Sequence, residues 1–328
     1  MRFFRSPSTD AAFNLALEEL FFLDGASDSF MLWRNAPSVI LGRHQNAAAE
    51  IDSGFVREHG IKVVRRITGG GAVYHDLGNI NFTRTGPAGP WSPEAAKKRL
   101  APILAGLRIL GFDCTTSGRN DILCGGVKIS GCARTVRQNR MLFHGTLLYD
   151  ADLSILGRAL TPDPEKLRSK GVASVRARVG NLRAMAGAGA PDTDGFLARL
   201  ETALAAELGL SGAETPDADL LAQAEELART RYRTRAWNWG TPFPCDIVRK
   251  RRFAGGTVAA ELRIADDRIA AIRFTGDFFA ERPAEELADG LAGTVPERGA
   301  VLARLRELAA GTYIAGVGAE DLADLIAP

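Results

Sequence analysis

Apolar residues recur at helical spacing near the start of the chain. Asp10 can cap a helix that continues to about Leu23, because its carboxylate accepts hydrogen bonds from the first free backbone N–H groups. Four apolar residues share one face of this helix: Phe13, Leu17, Leu20 and Phe21. Ser92 and Pro93 begin a second predicted helix, which ends at Gly111. Two further helices are predicted by the same spacing, near residues 196–208 and 217–229.

Short runs of β-forming residues lie between these helices, at residues 30–34, 38–41, 61–66, 80–83 and 142–149. The chain breaks after Trp237-Asn238-Trp239-Gly240, because the two prolines that follow remove backbone donors and restrict the residues before them. Beyond this break, alternation predicts two more strands, at residues 258–264 and 269–274, and helices end the chain. We therefore predict a large domain of residues 1–245 and a small domain of residues 246–328.

The composition is that of a globular protein, with 46% hydrophobic and 24% charged residues. Lys and Arg number 41 against 39 Asp and Glu, and a net charge of +2 gives no general attraction to nucleic acid or to a membrane surface. Charged residues interrupt every apolar stretch well before the roughly 18 residues of a membrane-spanning helix. Asn14 and Glu18 interrupt the first stretch, which excludes a signal peptide, so we expect a cytoplasmic protein.

Four cysteines are present without a CxxC spacing: Cys114, Cys124, Cys132 and Cys245. Only four histidines accompany them, so neither a structural zinc site nor a disulfide framework is expected in a chain of this length.

Three consecutive glycines follow a predicted strand and two arginines in Arg65-Arg66-Ile67-Thr68-Gly69-Gly70-Gly71. A glycine-rich turn exposes backbone N–H groups to phosphate or carboxylate oxygens, and the arginines add a donor fork of matching charge. The stretch is neither a P-loop nor a dinucleotide fingerprint, since no GxxxxGK[ST] occurs and Tyr74 stands where GxGxxG requires glycine. A tight hairpin with solvated arginines is the alternative interpretation.

Two further stretches contain candidate binding or catalytic residues. Gly118-Arg119-Asn120-Asp121 precedes Gly125-Gly126-Val127-Lys128, and Lys128 falls on a predicted strand. A lysine beside amide and carboxylate groups can hold a phosphate and a carbonyl oxygen by its charge, although spacing alone favours an exposed lysine on a β-hairpin. Phe143-His144-Gly145-Thr146 puts His144 at a short strand edge, where a single histidine is more often structural than catalytic.

In combination, the three stretches resemble the lipoate–protein ligase family of the biotin/lipoate ligase superfamily. Its RRxxGGGxVxHDxGN, GRND…K…G and HGTLL motifs correspond to residues 65–79, 118–131 and 144–148. The likeness continues in three shorter stretches: Asn14-Leu15-Ala16-Leu17-Glu18-Glu19, Lys170-Gly171-Val172-Ala173-Ser174-Val175-Arg176 and Trp237-Asn238-Trp239-Gly240. It covers residues 10–240 strongly and the remainder more weakly.

The resemblance implies an α/β (α+β) fold. Its catalytic domain would be of the class II aminoacyl-tRNA-synthetase/biotin-ligase type, with mixed β-sheets and a bent hydrophobic tunnel for the acyl chain, followed by a small α+β accessory domain. It further implies that ATP, with Mg²⁺ on its phosphates, activates lipoate (or octanoate) to the acyl-adenylate and releases pyrophosphate. The acyl group then passes to a lysine of an apo lipoyl domain, in 2-oxoacid dehydrogenase E2 subunits or the glycine cleavage H protein.

The resemblance also assigns roles to residues. Lys128 would contact the acyl carbonyl and phosphate oxygens in both half-reactions. The ATP and adenylate site would comprise Arg66, Gly71, Ala72, Val73, Tyr74, Asn120, Asp121 and Lys128. The lipoate site would comprise Gly69, Gly70, His75 and Lys128. No side-chain cluster for a metal is expected, and Asp121 is the candidate ligand of the Mg²⁺ carried by the phosphates.

Two other functions stay open. Cys132 follows Lys128 closely, and a cysteine-dependent octanoyltransferase would form an acyl-thioester there without ATP. The accessory domain after residue 245 argues against this class. A scaffold that only binds lipoyl domains is the second alternative, against which the complete set of motif residues argues. The basic run Arg249-Lys250-Arg251-Arg252 is expected at a solvated strand entrance, with a contact to an acidic acceptor domain as the alternative.

Overall fold

The structure, a computed structural model, describes residues 1–25, 27–117, 121–161 and 179–328. The strands in these ranges are β1 (Arg2–Arg5), β2 (Ser29–Trp33), β3 (Ser38–Leu41), β4 (Lys62–Arg65), β5 (Val73–His75), β6 (Asn79–Pro87), β7 (Cys114–Ser117), β8 (Asp121–Cys124), β9 (Val127–Arg137), β10 (Arg140–Leu148), β11 (Ile247–Phe253), β12 (Gly256–Ala265) and β13 (Arg268–Gly276).

The helices in the same ranges are α1 (Ala11–Leu23), α2 (Ala47–Glu50), α3 (Ser53–Glu58), α4 (Pro93–Ile109), α5 (Leu153–Ala159), α6 (Leu182–Ala186), α7 (Thr193–Leu208), α8 (Ala218–Leu227), α9 (Arg235–Trp239), α10 (Ala284–Leu291), α11 (Arg298–Glu307) and α12 (Ala319–Ile326). A short π-helix (Ala228–Tyr232) follows α8, and a 3₁₀ turn (Ala310–Thr312) precedes α12. In the described part of the chain, no helix is long and apolar enough to cross a bilayer.

The chain divides into two compact units that do not follow its linear order. The first unit comprises Met1–Ile40, Glu50–Val64 and Val73–Asn238. The second comprises Leu41–Ala49, Arg65–Ala72 and Trp239–Pro328. The second unit therefore contains two segments from the early part of the chain, and one of them carries the three consecutive glycines.

Capping side chains begin the helices where the sequence predicts them. The Asp10 carboxylate accepts the backbone N–H groups of Ala12 and Phe13 and begins α1. The Ser92 hydroxyl accepts the N–H of Ala95 at the start of α4, where Pro93 occupies the first turn. The helix predictions for these two segments are confirmed.

A seven-stranded mixed sheet forms the centre of the first unit, in the order β1-β2-β6-β10-β9-β8-β7. β1 and β2 are parallel, while the other neighbouring strands of this sheet are antiparallel. Ile80 and Phe82 of β6 pack in one core with Leu107 of α4 and Leu200 of α7. Thr83, the residue after Phe82 in β6, bonds instead to Glu18 of α1, so the sheet has an apolar face and a face that carries polar groups.

β3, β4 and β5 form a separate three-stranded sheet, in the order β4-β3-β5. β3 and β5 are antiparallel, with Ser38 opposite His75 and Ile40 opposite Val73. In the chain, β4 precedes the glycine-containing segment and β5 follows it.

The C-terminal part of the second unit contains the antiparallel sheet β11-β12-β13. Val258, Ala260 and Leu262 alternate along β12 and pack in one core with residues of the three closing helices, including Leu287 and Val301. The two strands predicted here are confirmed, and so is the mixed α/β fold class. The basic run 249–252 lies within β11 rather than at a strand entrance, because its neighbours Ile247 and Phe253 pack against this core.

Candidate functional site

The side chain of Arg66 holds the backbone of the glycine segment, which we define as residues 65–72. Its guanidinium Nη2 donates to the carbonyl oxygens of Gly69 and Gly71, at 2.7 and 2.9 Å, and its Nε donates to Oγ1 of Thr68 at 2.9 Å. The side chain is almost fully buried. Since guanidinium donors form a planar fork, they fix the relative orientation of the carbonyl groups that accept from them. Arg66 therefore sets the shape of this turn, so the alternative of solvated arginines is wrong for this residue.

Arg65 stabilises the neighbouring segment in the same way. Its Nη1 donates to three carbonyl oxygens, those of Gly42 (2.9 Å), Arg43 (3.1 Å) and Gln45 (2.7 Å). Burial, followed by the nearby charge of Arg43, lowers the pKa of Arg65 to about 10. The guanidinium remains charged at neutral pH, and it connects the two early segments of the second unit.

The three glycines have different surroundings. Gly70 has a φ of +92°, which favours glycine, and a Cβ on Gly69 would lie 2.4 Å from the carbonyl oxygen of Phe278. A Cβ on Gly71 would meet no atom of the described residues within 4 Å. The first two glycines are therefore required by the close approach of other protein groups and by backbone conformation, while the backbone at Gly71 is open.

Three of the predicted residues after the glycines, Val73, Tyr74 and His75, lie on β5, within the first unit. Burial, together with Asp76 and Asp152, raises the pKa of Tyr74 to about 12, so its phenol stays protonated at neutral pH. His75 is buried, and the amide of Asn35 donates to its Nδ1 at 3.0 Å. Val73 begins the strand opposite Ile40.

Lys128 and Asp121 form an ion pair across neighbouring strands. Lys128 lies on β9, as predicted, and its Nζ is 2.7 Å from Oδ1 of Asp121 on β8. The two side chains are 35% and 31% exposed, so both are partly open to solvent. A Cβ on Gly131, the residue opposite Asp121, would lie 3.5 Å from Nζ. Asn120 lies outside the described residues.

A buried polar cluster beneath α1 was not predicted as a unit. Oε1 of Glu18 accepts hydrogen bonds from Oγ1 of Thr83 (2.6 Å) and Nδ1 of His144 (2.8 Å), and Nε1 of Trp33 donates to the same threonine at 2.9 Å. Among the described residues, Oε2 of Glu18 has no hydrogen-bond partner. The signal in the sequence that could have indicated this cluster is the position of Glu18 within the apolar pattern of α1.

The expected strand-edge position of His144 is wrong. β10 lies between β6 and β9 in the interior of the sheet, because it pairs with both neighbours along most of its length. His144 faces the buried carboxylate of Glu18.

Cys132 has the properties of a packing residue. It is buried, its Sγ lies 3.7 Å from Oγ of Ser130, and burial raises its pKa to about 12. A Cβ on Gly145 would lie only 2.7 Å from this sulfur, so the thiol fills the space that the glycine leaves. A protonated, inaccessible thiol is a poor nucleophile, which disfavours a cysteine-dependent acyltransfer.

The described residues form two groups of candidate site residues. Lys128, Asp121 and the β5 residues belong to the first unit, whereas five predicted residues belong to the second: Arg66, Gly69, Gly70, Gly71 and Ala72. Within the described ranges, no three or more His, Cys, Asp and Glu side chains are arranged to hold a metal ion.

Comparisons with known proteins assign both parts of the chain. Residues 10–205 match the family described as the lipoyl protein ligase A/B catalytic domain, and residues 243–326 match the bacterial lipoate protein ligase C-terminus. The chain is 35% identical over 287 residues to lipoate–protein ligase 1 of Staphylococcus aureus, covering 87% of each protein.

Two solved structures share the fold. A lipoate-protein ligase A bound with ATP aligns with a TM-score of 0.62 at 27% identity, covering 73% of this chain and 98% of that one. A bipartite lipoate protein ligase from Thermoplasma acidophilum, described with its E2 lipoyl domain, aligns with a TM-score of 0.64 at 28% identity, covering 75% and 98%.

These findings define a lipoyl-ligase catalytic domain followed by the C-terminal region of the bacterial enzymes. The chain belongs to the lipoate–protein ligase family. The prediction of a lipoate–protein ligase from the sequence is thereby confirmed.

Proposed function

We propose that this enzyme adenylates lipoate with ATP and transfers the lipoyl group to a specific lysine of apo lipoyl domains, with Lys128 acting in both half-reactions. The observation that carries the proposal is the ion pair of Lys128 with Asp121, on adjacent strands within the span that matches the catalytic-domain family. This pair holds a cation on a partly exposed side chain, where it can meet a ligand oxygen.

In the first half-reaction, a carboxylate oxygen of lipoate attacks the α-phosphorus of ATP, and pyrophosphate leaves. Negative charge develops on the phosphate oxygens, and fixed cations and backbone N–H groups stabilise such charge most effectively when they are already in position. We assign the cation to Lys128 and the exposed backbone to Gly71, Ala72 and the following residues of β5. Arg66 acts by holding the turn, since its donors are bonded to Gly69, Gly71 and Thr68.

In the second half-reaction, the amine of the acceptor lysine attacks the acyl carbonyl carbon of lipoyl-AMP, and AMP leaves. The mixed anhydride is already a good electrophile, so no enzyme nucleophile is required. Lys128 would hold the acyl carbonyl and phosphate oxygens during this attack. Gly69, Gly70 and His75 would lie along the acyl–phosphate bend of lipoate.

Mg²⁺ is expected with ATP, and Asp121 fits it. Mg²⁺ in phosphate-handling sites is commonly held by one or two carboxylates together with substrate phosphates, so a cluster of three protein ligands is not needed. Asp121 is partly exposed and lies beside the cation assigned to the phosphates. When bound, the ion would neutralise charge on the phosphates. Asn120 would help to place the nucleotide.

We further propose a cytoplasmic enzyme with a catalytic region of residues 1–245 and an accessory region of residues 246–328. Its acceptors would be the E2 subunits of 2-oxoacid dehydrogenases and the glycine cleavage H protein, and lipoate or octanoate would be the acyl substrate. The E2 lipoyl domain described with the Thermoplasma acidophilum ligase supports an acceptor of this class.

Lipoate-dependent exchange of pyrophosphate into ATP tests the proposal. We expect exchange by the wild type and none by Lys128→Ala, with Lys62→Ala as an exposed-lysine control that exchanges normally. Exchange by Lys128→Ala at the wild-type rate would remove Lys128 from the first half-reaction. Absence of exchange in the wild type, with transfer from octanoyl-carrier protein instead, would support the acyltransferase alternative.

A further inference from the structure

The glycine segment is bonded to the C-terminal region of the second unit through two backbone hydrogen bonds. The N–H of Gly70 donates to the carbonyl oxygen of Phe278 at 3.2 Å, and the N–H of Gly276 donates to the carbonyl oxygen of His44 at 2.8 Å. The two bonds connect both early segments of the second unit to the end of β13. All four residues belong to the same compact unit.

Aromatic side chains reinforce these bonds. The imidazole of His44 stacks on the ring of Phe278, with centroids 4.6 Å apart and an interplanar angle of 12°. The ring of Phe279 lies against Gly70, since a Cβ there would be 3.0 Å from its Cζ atom. Phe278 is fully buried, and an ion pair of Arg43 with Glu285 at 2.9 Å adds a charged contact beside the stack.

We propose that His44, Phe278 and Phe279 form a clasp that holds the glycine segment in its nucleotide-binding conformation, so that they act as positioning residues for the first half-reaction. This inference rests on the proposed function of the glycine segment. The clasp acts on Gly69 and Gly70 and leaves the backbone at Gly71 open, which is the arrangement that a ligand-facing turn requires.

The clasp should favour ATP binding because it lowers the conformational entropy that the glycine segment loses when ATP binds. Glycine loses more backbone freedom on ordering than any other residue, so an unsupported run of three would have to be ordered at the expense of binding energy. Contacts that order the turn beforehand remove this cost from the binding step. Loss of the clasp should therefore raise KM for ATP more than it lowers kcat.

The primary test compares His44→Ala with His44→Phe. His44→Ala removes the stack but retains the backbone carbonyl, whereas His44→Phe restores an aromatic ring. Phe253→Ala is the matched control, because Phe253 is a partly buried ring that packs on the core of the C-terminal region. We expect His44→Ala to raise KM for ATP in pyrophosphate exchange by about tenfold, and we expect His44→Phe and Phe253→Ala to remain near the wild type. Transfer from supplied lipoyl-AMP should change less than exchange.

Hydrogen exchange of residues 67–72 supplies a readout that is independent of activity. The amide of Gly70 should exchange faster in His44→Ala than in the wild type, and His44→Phe should restore its protection. Unchanged protection and unchanged KM in His44→Ala would overturn the proposal. A lower KM or a higher kcat would also overturn it, since the contacts would then block the turn. If the wild type shows no pyrophosphate exchange, the proposed function fails, while the hydrogen-exchange comparison still tests the clasp.

Discussion

The carbonyl oxygen of Gly70 lies against Gly42 so closely that a Cβ on Gly42 would stand 1.9 Å from it. The two glycines are far apart in sequence, yet each constrains the other because both belong to the two early segments of the second unit. The glycine turn can therefore keep this shape only because residue 42 has no side chain.

This relationship predicts that alanine substitutions at Gly42 and Gly71 differ in their effect on the free energy of unfolding. Gly42→Ala forces backbone to move, and we expect it to lower the free energy of unfolding by about 1–3 kcal/mol, the usual cost of overpacking. Gly71→Ala should leave stability unchanged, because no atom in the described ranges of the chain lies within 4 Å of the added Cβ. Urea unfolding of both variants is the measurement. Equal stability of the two variants would show that the close approach does not constrain the turn.

Lys128→Ala should fold normally and lose both half-reactions. The ion pair of Lys128 with Asp121 is about one-third exposed on each side, so its loss should change stability by less than about 1 kcal/mol. Removal of a group that stabilises developing charge typically costs about 10²–10³-fold in rate, and we expect at least a hundredfold loss of exchange and of transfer. Thermal unfolding is measured beside both rates, and loss of exchange accompanied by unfolding would not support the assigned role.

Cys132→Ala should retain ligase activity. The thiol is buried with its pKa raised to about 12, so at pH 7–8 it stays protonated and contacts protein atoms rather than solvent. We expect full exchange and transfer, with a small loss of stability from the vacated volume. Alkylation by iodoacetamide should be slow in the folded wild type. Transfer abolished by Cys132→Ala in a folded protein would favour the thioester mechanism.

The acid dependence of stability should contain a contribution from His44. Burial, opposed by Glu285 and aided by Arg43 and Arg65, lowers the pKa of His44 to about 4 from an ordinary 6.5. Between these pH values the unfolded chain binds a proton at His44 that the folded chain does not bind. The contribution of His44 to the free energy of unfolding is therefore complete above about pH 6.5 and is lost as the pH falls towards 4.

The matched variant His44→Phe lacks this titration. We therefore expect the stability of the wild type to fall more steeply than that of His44→Phe between pH 6.5 and 4, as measured by urea unfolding at several pH values. Parallel curves for the two proteins would contradict the lowered pKa.

Short stretches of consecutive residues were sufficient to predict helices α1 and α4 and the strand that contains Lys128. Asp10 and Ser92 bond to the backbone within their own turns, so their effect is visible in a few consecutive residues. Lys128 was placed on a strand by its neighbours and grouped with Asp121 by sequence proximity, and the structure agrees. The mixed α/β fold followed from the family resemblance and is confirmed.

Features that depend on distant contacts were not visible in the sequence. Nothing in residues 41–49 or 65–72 shows that they pack with the C-terminal region, since their partners, such as Phe278, lie far along the chain. β11 was obscured because its basic residues interrupt an apolar pattern, although Ile247 and Phe253 at its ends contact the core. Glu18 was noted as an interruption of the apolar pattern and as part of a motif, but its burial was not predicted, because burial of a carboxylate depends on partners from other strands.

The interleaving of the two units has a consequence for synthesis on the ribosome. Strands β1 to β10 and their helices can assemble as soon as they emerge, because their partners are already present. The glycine turn must wait for Phe278, which is translated about two hundred residues after Gly70 and, at about 5–20 residues per second, ten seconds or more later. Until then the nascent chain carries the glycine turn, whose backbone we propose to bind the nucleotide, without its packing partners, so the turn should be completed at the end of translation.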